Sequence, residues 1–349
     1  TPHMADSAEL ALNEINASGK FMGGKTLTSV RADSTCVDAA AASAAAERLI
    51  TTDGVAAIMG ADCSGVTGAI LSNVAVPNGI AMVSPSATSP ALTTAEDNGL
   101  FFRTAPSDAR QGAVLAGLLQ DRGISEVAVT YTNNDYGKGL SDSFIASFEA
   151  NGGTVTLNAP HEDNKADYAA EVGALASAGG DLLVVLGYSD SGGKGVIQAA
   201  LDTGAFDTFM LGDGIYGDAL VAELGADMEG SFGAVPWSQG EGADAFAKIT
   251  ADAGINGESS FTRESYDAAA LIVLAMAAGG KADSATVAAN LLDVANAPGE
   301  PILPGELGKA LDILASGGAV DYVGATGVEL IGPGEAAGTY RHYDIKGGA

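Results

Sequence analysis

An α/β fold is predicted by three features of the sequence. Short apolar runs alternate with alanine-rich stretches of helical length, the pattern that parallel sheets covered by helices produce. Glycines and small polar residues punctuate the alternation. Two stretches also share one grammar, an apolar run, a small polar loop, a helix and a second apolar run. Taken in order, strands are expected at 26–32, 55–60, 80–84, 127–132, 154–158, 182–187 and 209–212. Helices are expected at 37–52, 64–76, 107–122, 138–150, 168–178, 195–202, 217–224, 243–253 and 263–278. Ser64 stands where it can cap the helix after the second run. Gly123 and Gly204 stand where left-handed helix ends favour a residue without Cβ. The paired grammar occurs at Val55 to Ser84 and again at Leu182 to Gly212. In each, the polar loop follows the carboxyl end of a parallel strand, the place where open α/β sheets hold ligands.

Composition sets the outer bounds. The chain has 349 residues, 47% of them hydrophobic and 17% charged, enough for two folded domains of ordinary size. Sixteen Lys and Arg stand against 44 Asp and Glu, a formal net charge of -28, so a polyanion such as nucleic acid is repelled. The longest apolar run, 268–280, falls well short of the roughly 20 residues that cross a bilayer, so no membrane insertion is expected. No basic start leads into an apolar segment, and the sequence reads as a mature chain. Cys36 and Cys63 are too few for a disulfide scaffold and lack zinc-ligand spacing, leaving either one bridge or two free thiols.

Catalytic constellations do not assemble. Gly60 to Gly65 does not match the dinucleotide fingerprint, and Gly187 to Lys194 misses the phosphate loop by one residue and lacks the hydroxyl after Lys194. Ser191 and Lys194 fit a serine–lysine spacing without its companion motifs. His3, His161 and His342 are far apart, with no nucleophile elbow. His161-Glu162-Asp163 has metal-ligating side chains, but neighbours in an extended chain point to opposite sides, and a solvated loop is expected there. No cofactor, metal or enzymatic activity is expected.

Binding chemistry fits better. Ser64, Ser84, Ser86 and Thr88 bring short hydroxyls beside backbone N–H groups, suited to a carboxylate; turn and capping chemistry around Pro85 and Pro90 is the competing role. Asp213, followed by Gly214 after a buried-looking strand, can receive an ammonium, or can serve an Asx turn. Tyr136, Tyr188 and Tyr216 can wall an apolar side chain.

The stretches Ala8 to Asn16, Asp33 to Cys36, Ile58 to Ser64, Ser84 to Thr93, Phe102 to Thr104, Asn134 to Gly139 and Glu264 to Ala269 together resemble the leucine/isoleucine/valine-binding family of type I periplasmic solute-binding proteins. The resemblance covers nearly the whole chain. It implies two Rossmann-like lobes with parallel central sheets, joined by a three-segment hinge and closing on a ligand in the cleft between them. Lobe 1 is then expected at 1–105 with 238–332 and lobe 2 at 106–237 with 333–349. The ligand set it implies is Ser64, Ser86, Ala87 and Thr88 for an α-carboxylate, Tyr136 and Tyr188 beside the ligand, and Asp213 for the ammonium. A Cys36–Cys63 bridge and a periplasmic location follow from the same resemblance. The partners it implies are an amino acid, with amides, urea and aromatic acids as alternative ligands, and the membrane permease of an ABC importer; a ligand-sensing regulator shares the fold. A monomer is expected. The family opens on a strand and loop, whereas this sequence starts almost at the first helix, so a first lobe without its opening strand is expected. The segment 295–323 is longer than the family connection and is expected to elaborate lobe 1.

Overall fold

The computed structural model describes residues 2–349; Thr1, where the expected first lobe starts, lies outside the described residues. The chain begins with α1 (Pro2–Ser18), α2 (Ala39–Thr51), β1 (Ile58–Met59), α3 (Ser64–Ile70), α4 (Val76–Asn78), β2 (Met82–Ser84) and β3 (Phe101–Arg103). A second run holds α5 (Asp108–Asp121), β4 (Glu126–Thr132), α6 (Asp135–Ala150), β5 (Thr154–His161), α7 (Ala169–Ala178) and β6 (Leu182–Leu186). It continues through α8 (Lys194–Thr203), β7 (Phe209–Leu211), α9 (Asp218–Leu224) and β8 (Phe232–Pro236). The last run holds α10 (Glu241–Ala253), α11 (Thr262–Gly279), α12 (Ser284–Ala295), β9 (Glu300–Ile302), α13 (Leu307–Ala315) and β10 (Val320–Tyr322). The short strands β11 (Leu330–Ile331) and β12 (Glu335–Ala336) and the final β13 (Tyr340–Asp344) complete it.

Two compact units result. The first takes the chain up to Thr88, then Leu92–Pro106 and Trp237–Thr339; the second takes Ser89–Ala91, Ser107–Pro236 and Tyr340–Ala349.

In the second unit a six-stranded sheet runs in the order β13-β8-β7-β6-β4-β5, parallel except for β13, which pairs antiparallel with β8. β6, Leu-Leu-Val-Val-Leu, is buried at every residue, as a central strand covered on both faces must be. Its helices start where the sequence supplies caps. Ser107 accepts the Ala109 N–H ahead of α5, and Asn134 accepts the Tyr136 and Gly137 N–H groups ahead of α6. Gly137 admits no other residue, because a Cβ there would stand 2.2 Å from the Thr132 carbonyl oxygen. Gly123 and Gly204 do take the left-handed conformation.

The first unit is built on α11. Every residue from Thr262 to Met276 is buried, so the long apolar run is a core helix that other elements surround. The three-stranded parallel sheet β1-β2-β3 belongs to this unit. The segment 295–323 forms a parallel pair, β9 and β10, with α13 crossing between them; Ile302, Leu307, Leu311, Val320 and Tyr322 join the same core as α11.

Three expectations are corrected. Residues 26–32 form no strand: the Leu27 N–H donates to the Asn16 side-chain oxygen at 2.8 Å and its carbonyl accepts from the Asn16 amide at 3.0 Å, so a side chain of α1 occupies the groups a neighbouring strand would use. Arg31 is drawn to the same helix by Asp6 and Glu9. Residues 333–339, expected with the second lobe, pack with the first unit, because β12 pairs with β11 and Glu335 forms an ion pair with buried Arg103. Cys63, not Ser64, occupies the cap position of α3, and Ser64 is the first helical residue. Cys36 and Cys63 form the disulfide, with their Cα atoms 5.1 Å apart.

Candidate functional site

In the first unit, two loops follow the carboxyl ends of β1 and β2. The Ser84 hydroxyl fastens them together: it donates to the Ala61 carbonyl at 2.5 Å and accepts the Ala87 N–H at 3.0 Å. The Ser86 hydroxyl donates to the Asp62 carbonyl at 2.9 Å. Arg103 donates to the Ala87 carbonyl at 3.0 Å from below. Ser64, Ala87 and Thr88 are buried and Ser86 is half-buried, so the structure gathers all four sequence-predicted residues onto this adjoining pair of loops. Ser86 uses its hydroxyl and its N–H, and Ala87 its N–H, to fix the loop.

The second unit gathers the other three. Asp213, at the end of β7, is buried, and its carboxylate accepts the Tyr136 hydroxyl at 2.6 Å. The same hydroxyl oxygen accepts the Gly214 N–H at 3.1 Å. Gly214 is needed for this approach, since a Cβ would come within 2.5 Å of the Gly187 carbonyl oxygen and 3.0 Å of the Tyr136 hydroxyl. Tyr136 and Tyr188 stack with centroids 4.8 Å apart. Tyr216 is not part of that stack: its hydroxyl accepts from Arg341 at 2.7 Å, and its ring meets Tyr343.

Burial pushes the Asp213 carboxyl above its ordinary range, while the Tyr136 hydroxyl, the Gln111 amide and the Gly214 N–H pull it back. The Tyr136 hydroxyl is pushed well above its ordinary value, first by burial and then by the nearby Asp213 and Asp108 carboxyls.

The expected solvated loop at 161–163 is corrected at His161 alone; Glu162, exposed, and Asp163, half-buried, follow the strand in a loop. His161 ends β5 and is buried, with Nδ1 2.9 Å from the Thr130 hydroxyl, while Asp163 accepts the Thr132 hydroxyl at 2.5 Å and Glu162 accepts the Asn133 amide at 2.7 Å. His161 is taken into the sheet because β5 extends three residues beyond the expected strand. Burial pushes His161 down to about 4, against the weak opposing pull of Glu171 and Glu162. The folded state therefore keeps His161 neutral while the unfolded chain binds a proton below about 6.5. Stability is expected to fall by up to about 3 kcal/mol as pH drops from about 6.5 to about 4. Urea titrations across that range should show the slope in the native protein and a flatter profile in His161→Gln; equal slopes would discard this origin.

Gln111 and the Arg103–Glu335 pair escaped the sequence reading. Gln111 lies inside an ordinary helical pattern, and the pair joins residues 232 positions apart. A cavity of about 450 Å³ in the first unit, lined by Glu241, Ala243, Leu303, Lys309 and Val323 among others, includes none of the candidate residues. No cluster of metal-ligating side chains occurs among the described residues.

Two α/β units with polar loops at the carboxyl ends of their strands have the type I periplasmic binding protein fold. The chain belongs to the periplasmic binding protein family, whose model matches residues 1–307. It is 30% identical over 289 residues to a substrate-binding protein, BasB, of a chemotactic signal transduction system in Halobacterium salinarum, covering 78% of this chain and 65% of that relative. It is equally 30% identical over 287 residues to a Leu/Ile/Val-binding protein homolog of Brucella melitensis, covering 80% of this chain and 75% of the relative. Among solved structures, the branched-chain amino acid transporter substrate-binding protein LivJ from Streptococcus pneumoniae, in complex with isoleucine, is similar with a TM-score of 0.80 at 22% identity, covering 100% of this chain and 92% of that one.

Proposed function

We propose that this chain is the extracytoplasmic solute-binding component of an ABC importer and that it binds an aliphatic amino acid, which it passes to a membrane permease. The observation that carries the reading is Asp213, a buried carboxyl at the end of β7 that accepts the Tyr136 hydroxyl at 2.6 Å. A ligand ammonium pairs with this carboxylate, and the stacked Tyr136 and Tyr188 offer an apolar wall next to it. The α-carboxylate is assigned to the loops carrying Ser64, Ser86, Ala87 and Thr88. Their serine and threonine hydroxyls and backbone N–H groups are its donors. The protein works as a monomer in the periplasm. One relative, named for a chemotactic system, favours a second partner, a signal transducer, which capture of the ligand-loaded protein on permease-containing and transducer-containing membranes would separate.

A thermal-shift screen against amino acids, small amides and aromatic acids tests the ligand. A ligand at a hundred times its Kd adds about 2.7 kcal/mol of stability. An aliphatic amino acid is expected to raise the melt, and Asp213→Ala is expected to remove that shift. Shifts given only by amino-free acids or amides would replace the ligand class.

A further inference from the structure

We infer that Gln111 is a second acceptor for the ligand's ammonium group, set beside Asp213, and so a specificity-determining residue of the site; this rests on the amino-acid reading above. Gln111 projects from α5 and is 1% exposed. Its amide nitrogen donates to the Ala234 carbonyl at 3.2 Å, on the strand next to the one that Asp213 follows, and the side chain helps hold the Asp213 carboxyl down. Ala234 offers a carbonyl, an acceptor, so the nitrogen must face it; exchanging the amide's nitrogen and oxygen would set a carbonyl against a carbonyl. The amide oxygen is thereby committed to a fixed direction. It is buried and has no hydrogen-bond partner.

A buried acceptor left without a donor is costly and uncommon, and it asks what donor completes it. The neighbouring donors are spoken for: the Tyr136 hydroxyl donates to Asp213, and the Gly214 N–H donates to Tyr136. An ammonium carries three N–H donors, more than one carboxylate oxygen uses. One N–H directed at Asp213 leaves others for the adjacent Gln111 oxygen. An amino-free acid brings nothing for either group, so the pair selects for the amine twice, once by charge and once by donor count.

The test compares two variants of nearly equal size. Gln111→Met removes the acceptor, and Gln111→Glu keeps one and adds charge. Leucine binding is measured by calorimetry, and stability by urea denaturation. Leucine affinity is expected to fall about tenfold to hundredfold in Gln111→Met and to stay within a few fold of the native value in Gln111→Glu. Stability is expected in the opposite order, because a buried Glu beside Asp213 costs more than a buried Met. Opposite orders of affinity and stability support the acceptor role. Affinity that follows stability, or that is unchanged in Gln111→Met, overturns it. Asp213→Ala separates the two levels of argument. If that variant loses leucine while Gln111→Met keeps it, only the Gln111 inference falls. If leucine does not bind the native protein, or binds Asp213→Ala unchanged, the ammonium reading falls and the inference with it.

Discussion

Asp267→Ala is expected to destabilise the first unit by about 4 kcal/mol, because it strips the acceptor from several buried donors at once. Asp267 is fully buried in α11. One carboxylate oxygen accepts the Tyr322 hydroxyl and the Ala325 N–H, both at 2.8 Å; the other accepts the Thr326 N–H at 2.9 Å and its hydroxyl at 2.7 Å. These bonds hold the end of β10, and with it the β9–α13–β10 unit, against the core helix. Asp267→Asn retains one oxygen and should cost roughly half as much. Trp237, the single tryptophan, lies in the first unit with the Arg263 guanidinium 3.7 Å from its ring centroid, so its fluorescence reports this unit during urea denaturation. A loss below about 1 kcal/mol in Asp267→Ala would mean that water satisfies these donors and that the carboxylate is dispensable.

Burial nevertheless pushes Asp267 up to about 6 against its four donors, and Glu264 on the same helix up to about 7. Both groups hold protons more tightly in the folded protein than in the unfolded chain. Their contribution is present in full below about pH 4 and is lost as pH rises through 6 to 7, opposite in sign to that of His161. The acid profile of the native protein is therefore partly flattened, which is why the His161 slope is read as a difference between two proteins.

The α/β alternation was legible because buried parallel strands and their helices carry their period in consecutive residues. The runs at 127–132 and 182–187 needed no distant information, and they became β4 and β6. The stretch 26–32 has the same local character but no strand beside it, and pairing is a property of the neighbour. β3, β8, β9 and β10 went unread because three to five residues give too little period, and in β9 a proline interrupts it. At the site, Asp213, Tyr136 and Tyr188 stood out by position at strand and helix ends. Gln111 did not, because what distinguishes it is an amide fixed by the Ala234 carbonyl near Asp213, a fact of separate elements meeting. His161 was misjudged for the same reason: the chain after residue 158 stays extended only because β4 pairs with it as far as Thr132.

Breaking the Cys36–Cys63 bridge is expected to cost about 3.5 kcal/mol while leaving ligand recognition in place. The two cysteines are 27 residues apart, and a closed loop of that length restricts the unfolded chain by about this amount. The bridge joins the loop before α2 to the loop that carries Ser64, so it invites a role in shaping the site. A parallel tie argues against that role. The Ser34 hydroxyl donates to the Asp62 side chain at 2.7 Å, and that same carboxylate accepts the Cys63 N–H at 3.0 Å. The Asp62 carbonyl in turn accepts Ser86. The loop geometry thus persists through Asp62 when the sulfur link is gone. Melting curves of the Cys36→Ser, Cys63→Ser double variant should fall by the amount the native protein loses in reductant, and reductant should not lower the variant further. Addition of the amino acid should still raise the variant's melt by nearly the native increment. A lost increment would mean that the disulfide holds the carboxylate loop in its binding shape; an unchanged melt without ligand would mean that the unfolded chain is already restricted between these residues.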